Sequence, residues 1–190
     1  DQDEPLEGKD LLVLASGGDA AQVFDALGRL QPVRGRLERA AISRAGTPVY
    51  VDYAHTPDAI ATALRAMRPH VMGRLIVVFG AGGDRDTTKR PLMGAAAREN
   101  ADILFVTDDN PRSEDPASIR AAIMVECPEA NNIGDRAEAI LLGVDALQAG
   151  DALLIAGKGH ESGQVINGNT YPFDDVEQAS IAVAALDELL

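Results

Sequence analysis

The sequence contains few residues of several types, and each scarcity excludes a class of protein. Its single cysteine, Cys127, excludes an internal disulfide and a metal site built from several cysteines. It contains no tryptophan, and aromatic residues make up 4% of the chain, so a core must be built from Ala, Val, Leu and Ile. No apolar run reaches the roughly 18–20 residues that a membrane-spanning helix requires.

Positive charge is also scarce, because 17 Lys and Arg residues stand against 30 Asp and Glu residues, for a formal net charge of −13. Nucleic acid and anionic membranes carry charge of the same sign, so we expect no nucleic acid and no membrane as partners. A phosphorylated small ligand remains compatible with this charge where Arg and backbone N–H groups cluster. The first ten residues, DQDEPLEGKD, are acidic where a secretory signal peptide is basic and then apolar, and we expect a cytoplasmic protein.

The pattern of the chain changes near residue 35. Residues 11–30 carry apolar residues at helical spacing, with Asp19 as a candidate N-cap. A proline and a glycine then interrupt the stretch QPVRGRLERA, which predicts a short connection there. We therefore divide the chain into residues 1–34 and a domain of residues 35–190.

From residue 47 onward, short apolar runs alternate with helical patterns. The runs suit strands that are buried on both faces of a parallel sheet, and they span residues 48–53, 74–80, 101–107 and 151–157. Helices are predicted at residues 57–69, 91–100, 116–125, 135–147 and 175–190, and a hairpin with an Asn-Gly turn at residues 164–173. The alternation predicts an α/β fold, with a Rossmann-like, open and mostly parallel sheet that is flanked by helices.

Four polar segments directly follow the four predicted strands. They are DYAHTPD (52–58), GAGGDRD (80–86), DDNPR (108–112) and GKGHE (157–161). Ligands of open α/β sheets bind outside the carboxyl ends of the strands. We therefore expect these four loops to converge at one edge of the sheet.

Each of these loops also has a purely structural interpretation. Thr56 suits an N-cap ahead of a helix, and the glycines of GAGGDRD suit a flexible turn. The two Gly-rich loops are not dinucleotide fingerprints, since Arg85 stands where the third glycine of G-x-G-x-x-G belongs and GKGHESG also fails that spacing. The sequence contains no G-x-x-x-x-G-K-[ST] motif either, so it carries no phosphate-cradling loop of that kind.

The stretch DDNPR is the most specific of the four. An Asx turn explains Asp109 and Pro111, but it gives no reason for Arg112. A guanidinium beside the edge of a sheet is favoured where it binds a carboxylate through two parallel hydrogen bonds. Asp109 and Asn110 offer oxygens to an ammonium next to it. The stretch suits the zwitterionic end of an amino acid, and a structural turn is the alternative.

Five segments, in this order, closely resemble the carboxy-terminal part of the Mur ligases: RGRLERA, VDYAHTPDAI, VVFGAGGDRDTTKRPLMG, VTDDNPRSEDP and LLIAGKGHE. They are most similar to the members that add meso-diaminopimelate to UDP-N-acetylmuramoyl-L-alanyl-D-glutamate in peptidoglycan synthesis. The resemblance covers about residues 11–190. It implies that residues 1–34 are a tail and the terminal helix of the central ATPase domain, and that residues 35–190 form the C-terminal domain.

The resemblance also implies roles for individual residues. The residues that would bind meso-diaminopimelate are Arg85, Asp109, Asn110, Pro111, Arg112, Gly157 and Glu161, and those that would contact ATP are Arg36, Asp52 and His55. Arg112 would hold the distal carboxylate of diaminopimelate, because lysine-adding members carry a different residue at that position. ATP and Mg²⁺ are implied as cofactors, with the Mg²⁺ ligands outside this sequence and no metal site within it.

The implied reaction is ATP-dependent amide bond formation through an acyl phosphate, on the substrates meso-diaminopimelate, the UDP-MurNAc-dipeptide and ATP. A monomer is expected. Since the phosphate loop, the modified lysine and the Mg²⁺ ligands of the family have no counterpart here, the chain alone is expected to be inactive. Three alternatives remain: the C-terminal domain of another Mur ligase or of a folylpolyglutamate synthetase, a nucleotide-dependent oxidoreductase domain, and an amino-acid-binding module that works alone.

Overall fold

A six-stranded sheet forms the centre of the computed structural model, which describes residues 33–188 and the isolated positions 17, 19 and 22. The strands are β1 Glu38–Ile42, β2 Pro48–Asp52, β3 Leu75–Phe79, β4 Ile103–Val106, β5 Asn131–Asn132 and β6 Ala152–Ala156. Their spatial order is β1-β2-β6-β3-β4-β5, and all neighbours are parallel except β1 and β2, which are antiparallel. The predicted mostly parallel α/β sheet and its four principal strands are confirmed.

Helices cover both faces of this sheet. They are α1 Pro57–Met67, α2 Lys89–Asn100, α3 Pro116–Met124, α4 Arg136–Asp145 and α5 Asp175–Asp187, and a short 3-10 helix, Arg68–His70, follows α1. Helices α1, α2 and α3 pack against one face, and α4 and α5 pack against the other. A separate two-stranded hairpin, β7 Gly163–Ile166 and β8 Asn169–Pro172, follows β6, as the Asn-Gly turn predicts.

The apolar runs form strands because both of their faces are covered. Every residue of β3 and of β6 is buried. Leu75, Val77 and Phe79 pack on the side of α1 to α3, whereas Ile76 and Val78 pack on the side of α4 and α5. This two-sided burial explains why the sequence of the strand is continuously apolar rather than alternating.

Side-chain caps fix where the helices begin. Thr56 Oγ1 accepts a hydrogen bond from the Ala59 N–H at 3.3 Å, which confirms Thr56 as the N-cap of α1. Asp135 Oδ1 accepts from the Glu138 N–H at 3.0 Å and caps α4 in the same way. Each contact satisfies a backbone donor that the first helical turn would otherwise leave unpaired.

Two strands and one helix boundary differ from the prediction. The connection predicted at QPVRGRLERA, residues 31–40, is wrong at its end, because Glu38–Ile42 forms the antiparallel edge strand β1, whose half-exposed residues give a weak strand signal. Strand β5 has only two residues, both exposed, and no pattern marks it. Helix α2 begins at Lys89 rather than at Pro91, so the proline lies inside the first turn, where its missing N–H costs nothing.

Residues 34–190 form one compact unit, and residues 1–33 form another. In the second unit the Gln22 N–H donates to Asp19 Oδ1 at 3.0 Å, the contact that an N-capping aspartate makes. The tail predicted at residues 1–10, and the helix predicted at residues 11–30 apart from these positions, lie outside the described residues. Among the helices of the described residues, none is both long and apolar enough to cross a membrane.

The thiol of Cys127 is buried beside α2 and α3, and it donates to the Ile123 carbonyl at 3.6 Å. Burial raises the pKa of the Cys127 thiol to about 11. We predict that the native chain reacts with a disulfide reagent such as DTNB at pH 8 at least about a hundred-fold more slowly than the urea-unfolded chain, since the reaction needs an accessible thiolate. Absorbance at 412 nm measures both rates, and rapid labelling of the native chain would contradict this burial.

Candidate functional site

The loops that follow β2, β3, β4 and β6 meet at one edge of the sheet, here called the rim. The rim comprises residues 52–58, 80–86, 108–112 and 157–161. The Gly83 N–H donates to the Asn110 carbonyl at 2.9 Å, and the Gly157 N–H donates to the Asp52 carbonyl at 3.1 Å, so that neighbouring loops are joined directly. The expected convergence of the four loops is confirmed, because parallel neighbouring strands end at the same edge.

Asn110 connects more segments of the rim than any other side chain described here. Its Oδ1 accepts hydrogen bonds from Lys158 Nζ at 3.0 Å and from the Val165 N–H at 2.9 Å. Its Nδ2 donates to Glu161 Oε2 at 2.9 Å. Together with the backbone bond to Gly83, these contacts join the loops after β3, β4 and β6 and the hairpin. Because Asn110 is 5% exposed, each lost partner would leave a buried polar group unpaired.

Two carboxylates and one ammonium surround this amide. The Lys158 side chain is fully buried, and its Nζ lies 4.0 Å from Asp109 Oδ1 and 3.7 Å from Glu161 Oε2. Burial lowers the pKa of Lys158, and the nearby Asp109 and Glu161 carboxylates oppose that shift. The Asp109 carbonyl accepts from Gln164 Nε2 at 2.7 Å, which ties the loop after β4 to β7.

The glycines of GAGGDRD are required by close packing rather than by unusual backbone angles. A Cβ at Gly80 would overlap the Thr107 carbonyl oxygen, and a Cβ at Gly83 would overlap that of Pro111. Neither Gly80 nor Gly83 has a positive φ. The flexible-turn interpretation is therefore wrong for these two residues, since each one admits the loop after β4.

Gly157 allows a different close approach. Its φ of +124° lies in a region that favours glycine, and a Cβ there would lie 2.6 Å from Asp109 Oδ2. The Asp109 carboxylate therefore rests against the bare backbone of the loop after β6. The packing of Asp109 therefore requires a glycine at position 157. The ligand contact that the resemblance implies for Gly157 is a separate role.

Arg112 has a left-handed backbone, with a φ of +54°, which is strained for a residue other than glycine. Its N–H donates to the Val165 carbonyl at 3.0 Å, and its carbonyl accepts from the Asn167 N–H at 2.7 Å, so the hairpin holds it in place. Its Nη1 donates to the Gly83 carbonyl at 2.8 Å. Within the described residues, no hydrogen bond is formed by Nε or Nη2, and these donors can serve a ligand.

Arg85 lies farther out on the same rim. Its side chain is exposed, and Nη1 donates to the Asp84 carbonyl at 3.0 Å. Asp84 in turn accepts from Ser113 Oγ at 2.7 Å, and this hydrogen bond lowers the pKa of Asp84. The structure therefore places Arg85 in the loop that contacts DDNPR, with no hydrogen bond to Asp109, Asn110 or Arg112 among the described residues.

Two of the three residues that the resemblance assigns to ATP, Arg36 and His55, lie beside the ring of Tyr53. Arg36 Cζ lies 4.7 Å from the centre of the Tyr53 ring, within the range of a cation–π contact. The His55 ring lies 4.6 Å from Tyr53, and the His160 ring lies 5.1 Å from it. The Asp52 carboxylate is occupied by backbone, because its two oxygens accept from the N–H groups of Leu37 and Ala54 at 2.7 and 2.8 Å.

Sequence reasoning missed several residues that shape this site. They are Tyr53, Arg136, Lys158, His160, Gln164 and Asp175. Three of these lie inside the quoted segments DYAH and GKGHE, so the signal was present but no role was assigned. Gln164 and the Arg136–Asp175 pair lie outside them, and no pattern marks them.

A buried ion pair supports the rim from below. Arg136 Nε and Nη2 each lie 2.8 Å from an Asp175 oxygen, both side chains are fully buried, and Nη2 also donates to the Ala156 carbonyl at 3.1 Å. Each residue is the first of its helix, so the pair fixes α4 and α5 to the end of β6. Breaking one partner of such a pair is strongly destabilising, because the other charge stays buried.

The described residues hold no set of metal ligands. Among them, no group of three or more His, Cys, Asp and Glu side chains could hold a metal ion. The rim brings together the guanidinium of Arg112, the carboxylates of Asp109 and Glu161 and the amide of Asn110.

We predict that Asn110→Ala destabilises the chain by about 1–3 kcal/mol, because it leaves Lys158 Nζ and the Val165 N–H without their acceptor. Urea unfolding measures the change in free energy. Hydrogen exchange should show loss of protection at the Val165 amide, whereas the amide of Val78 in β3 serves as the control. Unchanged protection at Val165 would mean that Asn110 does not hold the hairpin to the rim.

The known proteins that are similar to the chain in sequence include Mur ligases. The sequence model of the family described as "Mur ligase, glutamate ligase domain" matches residues 35–159. The chain is 55% identical over 174 residues to the UDP-N-acetylmuramoyl-L-alanyl-D-glutamate–2,6-diaminopimelate ligase of Bradyrhizobium diazoefficiens, which covers 92% of this chain and 36% of that protein. The protein of the same name from Caulobacter vibrioides is 55% identical over 176 residues, which covers 93% of this chain and 36% of that protein.

A solved structure agrees with these sequence matches. The structure of a UDP-N-acetylmuramoyl-L-alanyl-D-glutamate–2,6-diaminopimelate ligase is similar to the chain with a TM-score of 0.75 and 40% identity, over 93% of this chain and 37% of that one. The chain thus spans 36% of the length of the two curated relatives.

Proposed function

Because the chain belongs to the Mur ligase family through its glutamate ligase domain, we propose that it is the amino-acid-binding part of a ligase for meso-diaminopimelate. The complete enzyme would join this amino acid to UDP-N-acetylmuramoyl-L-alanyl-D-glutamate in peptidoglycan synthesis. The names of its relatives, at 55% identity, support this substrate. We further propose that the enzyme is a cytoplasmic monomer.

The observation that carries the proposal is the guanidinium of Arg112, whose Nε and Nη2 form no hydrogen bond among the described residues and which follows Asp109 and Asn110 in the same loop. The free guanidinium donors of Arg112 suit the distal carboxylate of diaminopimelate, in the bidentate arrangement that guanidinium groups favour. Asp109 and Glu161 supply carboxylate oxygens for the distal ammonium, and Asn110 fixes the distance between them. Arg85 and Gly157 would complete the binding site, together with the backbone of Pro111.

In the proposed reaction, ATP phosphorylates the γ-carboxylate of the D-glutamyl residue, and the amine of diaminopimelate attacks the acyl phosphate. The phosphorylation releases ADP, and the tetrahedral intermediate loses a proton from its nitrogen and collapses to the amide and phosphate. This domain contributes orientation, because it holds the amine of the incoming amino acid in line with the acyl carbon. Since no group of three or more His, Cys, Asp and Glu side chains among the described residues could hold Mg²⁺, we propose that its ligands belong to another part of the complete enzyme.

For the nucleotide, we propose a limited set of contacts. Arg36 and His55 border the Tyr53 ring, and His160 extends the same group. An arginine and an aromatic face suit a phosphate and a base. Asp52 acts mainly through the backbone amides that it holds.

Arg112 would distinguish a ligase for diaminopimelate from a related ligase for lysine. Diaminopimelate and lysine differ at one end, where diaminopimelate adds a carboxylate. If Arg112 pairs with that group, the contact contributes about 1.5–3 kcal/mol, or about ten- to a hundred-and-fifty-fold in discrimination. Lysine would in addition leave the guanidinium partly desolvated without an anion.

We predict that Arg112→Ala in the complete enzyme lowers the ratio of kcat/KM for diaminopimelate over lysine by about ten-fold or more. Arg112→Lys should restore little, because an ammonium cannot reproduce the planar pair of donors. Arg112→Asn is the matched control, since asparagine accepts the φ of +54° better than alanine and removes the charge without added backbone strain. Steady-state kinetics with both amino acids measures this ratio. If the ratio of kcat/KM is unchanged in the Ala and Asn variants, DDNPR is a structural turn and does not select the substrate.

We also predict how the isolated chain and the complete enzyme treat ATP. The 190-residue chain should not hydrolyse ATP, because its sequence contains no G-x-x-x-x-G-K-[ST] loop to hold the phosphates. In the complete enzyme, Arg36→Ala should raise the KM for ATP and leave the preference for diaminopimelate over lysine unchanged. Phosphate release by the purified chain, or a changed amino-acid preference in the Arg36 variant, would contradict this division of roles.

A further inference from the structure

A buried ammonium lies behind the carboxylates of the proposed amino-acid site. The side chain of Lys158 is fully buried, whereas that of Glu161 is 36% exposed. Lys158 Nζ lies 3.7 Å from Glu161 Oε2 and 4.0 Å from Asp109 Oδ1, and it donates to Asn110 Oδ1 at 3.0 Å. The Asp109 side chain is 9% exposed, so a ligand at the rim would meet Glu161 most directly, with Asp109 largely enclosed and Lys158 fully enclosed.

Lys158 is the shared counter-ion of two loop carboxylates, Asp109 and Glu161, and it also donates a hydrogen bond to the neutral amide of Asn110. Asp109 and Asn110 come from the loop after β4, and Glu161 lies three residues beyond Lys158 in the loop after β6. A second ion pair, Arg136 with Asp175, lies beneath, and its guanidinium also attracts the carboxylates of Asp109 and Glu161. The Lys158 ammonium acts on these two carboxylates from 4.0 and 3.7 Å.

We propose that Lys158 is a positioning residue that sets the charge of the site, so that an amino acid with a zwitterionic distal end is preferred over one with a bare ammonium. This inference rests on the function proposed above. Lys158 does not touch the substrate. It acts by offsetting part of the negative charge of Asp109 and Glu161 and by holding Asn110 between them.

The physical reason is the difference between the two ligands. A ligand whose distal end is an ammonium alone binds more tightly with each added unit of negative charge in the site. A ligand with a zwitterionic distal end gains less binding free energy from that charge, because the charge repels its carboxylate at nearly the same distance. Removal of the Lys158 charge makes the site more negative by one unit, which favours lysine and disfavours diaminopimelate. The burial of the group strengthens this effect, since solvent screens it little.

The test uses the complete enzyme with Lys158→Met, which removes the charge and keeps the length of the side chain. The expected result is a fall of about ten-fold or more in the ratio of kcat/KM for diaminopimelate over lysine, with the change mainly in the two KM values. Lys158→Arg is the matched control that retains the charge, and its ratio should stay within about three-fold of the wild type. A loss of structure would lower both activities together and leave the ratio in place.

Glu161→Gln provides a second, opposite change at a partly exposed position. It removes one negative charge, so the ratio should rise, and the double variant Lys158→Met with Glu161→Gln should return toward the wild-type ratio. If Lys158→Met does not fold by circular dichroism, Lys158→Gln, which also removes the charge, takes its place. A ratio that stays within about two-fold of the wild type in the folded variant without the Lys158 charge overturns the inference.

The same kinetics separate this inference from the proposed function. If the wild-type enzyme does not use diaminopimelate, the proposed function fails, and with it the premise for Lys158. If the wild-type enzyme prefers diaminopimelate and Arg112→Ala lowers that preference but Lys158→Met does not, the function stands and the role of Lys158 is wrong.

Discussion

The amide of Asn110 is the contact on which the geometry of the rim depends. One side chain supplies an acceptor to a buried ammonium and to the backbone of the hairpin, and a donor to a carboxylate. An aspartate could not donate, and an alanine could do neither, so only an amide of this length satisfies all three partners. The loops after β4 and β6 therefore have one relative position rather than several.

Two further features allow that amide to stay buried. The glycines at positions 80 and 83 let the loop after β4 approach closer than any side chain would permit. Below, the pair of Arg136 and Asp175 fixes two helix starts to the last carbonyl of β6. A support of this kind holds the loops of the rim within narrow tolerances.

Most of the fold could be predicted from the sequence, because strands that are buried on both faces appear in it as continuous apolar runs. The strands 75–79 and 152–156 are buried on both sides and read as unbroken apolar runs. The edge strand β1 is half exposed, and its sequence ERAAI resembles a loop as much as a strand. At the rim, the strand-end rule predicted that the four loops converge, and they do so because their strands are parallel neighbours. The buried partner Lys158 received no role because a lysine in a Gly-rich loop gives no sign that it is enclosed.

The left-handed backbone of Arg112 restricts how the specificity of such a domain can drift in evolution. A lineage that loses the arginine must fill a position with a φ of +54°, where β-branched residues are strained and asparagine and glycine are the least costly. Few single substitutions are therefore tolerated at the position that the distal carboxylate would meet. A change of substrate would pass through a small set of sequences, whereas the neighbouring surface positions remain free to vary.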